Sequence, residues 1–134
     1  AEDAIRIMRA LKELGVRIIP VGDAMYAGST DPDWCYKPAK CDKAALKYPE
    51  LPDQTHSLNV GYVWMKDKDK PGEYQLAMDG HHASELGCYL LGCVWFEFLY
   101  NESVENNKYV PSSIRAADAR YLRALAHKVV GAKQ

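Results

Sequence analysis

Apolar residues from Glu2 to Leu14 recur at helical spacing, at Ile5, Met8, Leu11 and Leu14, and Gly15 stands where such a helix would stop. "VRIIPV", Val16 to Val21, follows with almost no linker. A β-branched run so placed predicts a strand, the end of an αβ unit in a parallel sheet, with Pro20 where the strand leaves the sheet. From Gly22 to Ser57 the periodicity lapses into a loop-like stretch, with one short helix expected near Lys43 to Lys47. Loops this long in a compact domain are usually functional or disordered, and Tyr26, Trp34, Tyr36 and Tyr48 favour an ordered one. "LNVGYVWM" and "YQLAM" flank a polar turn with Pro71 and Gly72, predicting a hairpin. Ser84 is a candidate N-cap for a helix running to about Tyr100, whose nearly all-round apolarity predicts burial among other elements. A last helix is expected from Pro111–Ser113 to about Val130, on the surface of the domain, with Ile114, Leu122, Leu125 and Val129 on one face.

A chain of 134 residues supports one core, as a small domain or part of a larger one. The formal net charge is -1 and the charges are interspersed, so there is no electrostatic footprint for nucleic acid or anionic lipid. The run Leu86 to Leu99 contains Glu97 and falls short of the roughly 20 residues that a bilayer span requires, so no membrane association is expected. The opening "AEDAIRIMRALKELG" is already inside a helical pattern and has no signal-peptide layout, which suggests residues missing ahead of Ala1.

Four cysteines refine this picture. Cys35 and Cys41 lie in the proline-rich loop, where a disulfide between them would staple a segment with little core of its own; free thiols are the alternative. The disulfide would favour a secreted or periplasmic location. Cys88 and Cys93 lie five apart on the apolar helix and are expected as buried free thiols. No Cys-x-x-Cys pair or usual His spacing suggests zinc.

The candidate chemistry lies in "MDGHHASELGCYLLG". A histidine acting as general base needs a group that fixes its tautomer and stabilises the imidazolium, and a carboxylate does both. Asp79 and His82, three residues apart at a strand-to-helix transition, fit that pairing. The structural alternative is that Asp79 ends a strand, His82 caps the helix and His81 is exposed. Metal binding through Asp79, His81 and His82 would need further ligands, His56 being the nearby candidate.

"DGHHASELGCYLL" resembles the last sequence block of the SGNH hydrolases, also called GDSL-type esterases: Asp-x-x-His, a small and a polar residue, then a Gly and an aromatic opening the last core helix. Asp79, Gly80, His81, His82, Ala83, Ser84, Gly87 and Tyr89 match in order. Ahead of it, "ALKELGVRIIPVGDAMYAG" resembles the segment that precedes this block in a bacterial branch of the family, and "GCYLLGCVWFEFLYNESV" is similar to that branch's C-terminal end. The similarity spans roughly Ala4 to Val130, with a longer insert between Gly28 and about Gln75.

The resemblance implies an α/β fold, a three-layer α/β/α sandwich on a parallel sheet, of which this chain is the C-terminal part with an inserted loop and hairpin. It implies ester hydrolysis without a cofactor or metal, with His82 as the base oriented by Asp79. His81 fills a variable position of the motif and is a substrate-contact candidate, as are Tyr26 and Trp34 in the aromatic loop. Tyr62 and Trp64 also suggest stacking on sugar rings, hence a carbohydrate acetyl ester.

The family's serine block and its two oxyanion blocks have no counterpart here. "VGDA" at Val21–Ala24 places Ala24 where the serine would stand, and none of Ser29, Ser57, Ser84, Ser103, Ser112 and Ser113 lies in a nucleophile elbow. The expected partner is therefore an N-terminal segment or another chain carrying the serine, or a second copy of this chain. The competing reading is a non-catalytic assembly module.

Overall fold

The computed structural model describes residues 2–38 and 40–132, apart from the side chain of Ala4. Four helices and a small hairpin follow in chain order: α1 (Glu2–Glu13), α2 (Val21–Thr30), β1 (Tyr62–Lys66), β2 (Tyr74–Met78), α3 (Glu85–Tyr100) and α4 (Ala116–Gly131), with short 3-10 turns at Lys43–Ala45 and Val104–Asn106. The chain is mixed α/β, and its sheet consists of β1 and β2, antiparallel, with Trp64 opposite Leu76. No described helix is long and apolar enough to cross a membrane.

Gly15 ends α1 as expected. It adopts φ +73°, and the amides of Gly15 and Val16 donate to Lys12 and Leu11, the paired bonds of a Schellman motif. The predicted strand at Val16–Val21 does not form. No neighbouring strand is present to pair with it among the described residues, and the run becomes a connector leading into α2. α2 itself occupies a segment expected to be loop. Its two glycines and small residues carry weak helix propensity. They allow close packing instead: Ala24 and Gly28 are buried, and a Cβ at Gly28 would lie 2.8 Å from Leu58 Cδ1.

The core lies where α3 packs on α4 and α2. Leu90, Cys93 and Val94 of α3 meet Leu122, Ala126 and Val130 of α4, joined by Leu58, Val104 and Trp34. α4 starts later than expected, because Pro111–Ile114 forms a turn and Arg115 is extended. Its buried stripe is centred on Ala119, Leu122 and Ala126; Leu125 and Val129 are only half-buried.

α3 is not buried all round. α2 and α4 cover one side and leave Cys88, Trp95, Leu99 and Tyr100 exposed. Cys88 therefore departs from the expected buried thiol, whereas Cys93 is buried and its thiol is pushed up to about 11 by desolvation. Most of the apolar face of α1 is also bare, with Ile5 61% and Leu14 77% exposed.

Glu97, the one acid between Leu86 and Leu99 of α3, is buried and ties three elements together. Its Oε2 accepts from the Val104 amide at 2.9 Å and its Oε1 pairs with Nδ1 of His127 on α4 at 2.5 Å. That hydrogen bond raises the His127 pKa above its ordinary 6.5, aided by the charges of Glu97 and Glu105. A raised folded-state pKa gives stability that is full below the unfolded value and lost as pH rises through the folded one. The urea midpoint should therefore fall as pH rises from the ordinary imidazole value of 6.5 through the raised folded-state one, and a His127→Gln chain should lose that slope. An equal slope in both chains would place the pH dependence elsewhere.

Candidate active site

Asp79 immediately follows β2, and the chain turns there through Gly80 at φ +77°, a left-handed conformation that favours glycine. The turn is gripped from outside by the strip Ser57–Gly61. The Asp79 amide donates to Gly61 O at 3.0 Å and Gly80 N to Val60 O at 2.7 Å; Val60 N donates to His82 O at 2.8 Å and Ser84 N to Leu58 O at 2.9 Å. Ser84 caps α3, its Oγ accepting from Gly87 N at 3.2 Å while donating to Ser57 O at 2.7 Å. One serine thus fixes both the helix start and the strip that carries the turn.

Within the turn, Oδ1 of Asp79 accepts from the amides of His81 and His82 at 3.0 and 2.9 Å, and Oδ2 faces Nδ1 of His82 at 2.8 Å. The His82 amide, then its side chain, then the His81 amide hold the Asp79 carboxyl well below the usual carboxylate range. An ionised carboxylate only accepts, so the nitrogen facing it carries the proton and Nε2 of neutral His82 is left as an acceptor. The side chain of His82 is 70% exposed against 20% for Asp79, and Nε2 has no hydrogen-bond partner among the described residues. This leaves an oriented imidazole with its basic nitrogen open to solvent.

The histidine rings lie 4.1 Å apart, and Nδ1 of His81 is 3.0 Å from the Asp79 carbonyl and 3.3 Å from Oδ1. Asp79, His81 and His82 are thus brought together. Tyr26 and Trp34 do not join them: among the described residues neither ring stacks on or hydrogen-bonds to any of the three. Tyr26 is an exposed side chain of α2. Trp34, expected in a substrate wall, is buried between Tyr121 at 4.4 Å and His56 at 4.5 Å, both nearly parallel to it, so neither ring face is left for a sugar. His56 is engaged there with Asp118 and Arg115 and supplies no fourth ligand to the Asp79 turn.

All four cysteines are free. In place of a Cys35–Cys41 disulfide, backbone bonds from Trp34 and Cys35 to Asp31 O and the Trp34 stack fix that part of the loop. On the hairpin, Trp64 donates to Glu50 O, Tyr62 accepts from Lys43 Nζ, and Tyr48 stacks on Tyr74. No serine hydroxyl is hydrogen-bonded to Asp79 or His82 among the described residues. Leu58–Gly61, expected as the start of the first hairpin strand, lies ahead of β1 and instead holds the Asp79 turn, across 18 to 26 residues of sequence.

No known protein family, curated protein or solved structure matches the chain.

Proposed function

We propose that this chain is the C-terminal portion of an SGNH-type three-layer hydrolase fold and supplies the acid–base pair of a serine ester hydrolase. The observation that carries the reading is the 2.8 Å contact from Asp79 Oδ2 to His82 Nδ1 with Nε2 facing solvent. In that arrangement His82 takes the proton of an incoming serine hydroxyl through Nε2 and returns it to the leaving alcohol, while Asp79 holds the tautomer and offsets the imidazolium charge. The serine comes from a separate segment or chain. Its docking would cover the bare apolar side chains of α1 and Trp95 and Leu99 of α3; Ile5, Met8 and Leu99 border a groove of about 790 Å³. With Trp34 sequestered, the support for a carbohydrate ester reduces to the hairpin aromatics Tyr62 and Trp64.

The same exposed faces favour a second reading, an assembly module in which the Asp79 turn serves only to cap α3. A fluorophosphonate probe, which bonds covalently to activated serines, separates the two. The chain alone should stay unlabelled, and in complex with its partner the label should appear on a partner serine and depend on His82. Label on a serine of this chain would overturn the half-site assignment. An unlabelled complex would leave the assembly module standing.

A further inference from the structure

The Asp79 turn brings a carboxylate and two imidazoles, ligands suited to borderline divalent metals, so close that one ligand atom of each lies within 4.8 Å of the others. Around a tetrahedral zinc with bonds of about 2.0–2.1 Å, neighbouring ligand atoms stand about 3.4 Å apart. His81 Nδ1 to Asp79 Oδ1 is 3.3 Å and His82 Nδ1 to Oδ2 is 2.8 Å, so each imidazole nitrogen is near enough to a carboxylate oxygen for the two to share one ion. Both imidazoles are more than two-thirds exposed, which lets them adjust and lets water complete the coordination sphere. Asp79 does not need to move: the two amides on Oδ1 fix its position and keep it anionic.

We propose that Asp79, His81 and His82 form a binding site for a zinc-like divalent metal, and that its occupancy switches off His82 as a base. The switch follows from proton bookkeeping. Neutral imidazole carries one N–H, which in the free turn sits on Nδ1 facing Asp79. When the metal takes Nδ1, that proton moves to Nε2, and the nitrogen that would accept the serine proton becomes a donor. The net reaction is ligand exchange with a tautomer shift and no redox change. The metal site itself stands on the turn's geometry; only the inhibitory consequence rests on the reading of His82 as a catalytic base.

Titration of the 134-residue chain with Zn²⁺ by calorimetry tests the site directly. The expected result is one saturable ion per chain, with affinity at least about tenfold lower in His81→Ala and in Asp79→Asn, the scale on which lost metal contacts register. His81 is exposed, so its removal leaves folding intact. Zinc uptake unchanged in both variants would assign the ion to the exposed thiols Cys41 and Cys88 and overturn the proposal, as would the absence of saturable binding. The NMR signature of the switch is a His82 N–H signal that passes from Nδ1 to Nε2 on addition of Zn²⁺. Loss of esterase activity in a partner complex is not needed for either readout, so a failed metal site and a failed hydrolase reading give different results.

Discussion

Asp79→Asn is expected to lower ester turnover of the assembled enzyme by roughly three to four powers of ten while leaving thermal stability nearly unchanged. Both halves of that outcome follow from the two oxygens of Asp79 having separate tasks. Oδ1 accepts the amides of His81 and His82, and the amide oxygen of Asn can still accept both, so the turn survives. Oδ2 becomes an NH₂ group, which can only donate. His82 must then present Nδ1 as an acceptor and carry its proton on Nε2, the tautomer that cannot take a proton from serine. A change of one atom thus separates catalysis from folding. Turnover and melting temperature measured on the same purified complex decide the matter: a large drop in stability with activity per folded molecule preserved would mean that Asp79 is a capping residue and that the assembly reading is right. The acid side adds a check. Because the carboxyl is held below its ordinary range, its contribution to the turn is complete above ordinary carboxylate pKa values and fades only as pH falls through the depressed one.

Patterns confined to a few neighbouring residues were the legible ones. The Schellman stop at Gly15, the hairpin around Pro71 and Gly72, the Ser84 cap and the Asp79–His82 spacing each arise within about one turn of chain, and each is present. Elements that depend on distant partners read poorly. Val16–Val21 has strand composition, but a strand is stabilised by its neighbours and none pairs with it among the described residues. α2 reads as loop because Gly22 and Gly28 are weak helix formers, yet Gly28 is what allows the close approach of Leu58 and Leu125. The aromatic pattern was ambiguous in kind: the residues that would wall a binding site also build a packed loop, and only the stack of Tyr121, Trp34 and His56 distinguishes the two. Glu97 counted in the sequence only as an interruption of an apolar run. Its role as the buried link from α3 to Val104 and His127 depends on α4, thirty residues further on.

Gly87 shows how closely the site depends on packing behind it. On an isolated helix, Ala in place of Gly is stabilising by about 1 kcal/mol. At Gly87 the added Cβ would overlap the backbone oxygen of Leu58, with Leu58 C and Ala83 Cβ both at 3.2 Å. A side chain could rotate aside, but this oxygen belongs to the strip and already accepts from Ser84 N. Relief therefore requires the strip to withdraw from α3, which loosens the bonds from Leu58, Val60 and Gly61 to the Asp79 turn. Gly87→Ala is expected to cost about 3 kcal/mol, the upper end of the usual range for overpacking. It should also weaken the NMR signal of the His82 Nδ1 proton hydrogen-bonded to Asp79. Gly92→Ala on the same helix is the control: it is exposed, a Cβ there meets nothing within 4 Å, and the substitution should stabilise by up to about 1 kcal/mol. Urea midpoints that move in opposite directions for the two chains would show that contact with Leu58 governs the first. Equal midpoints would mean that the strip does not lie against α3 in solution, and the turn carrying Asp79 and His82 would then lose the support that keeps the pair in register.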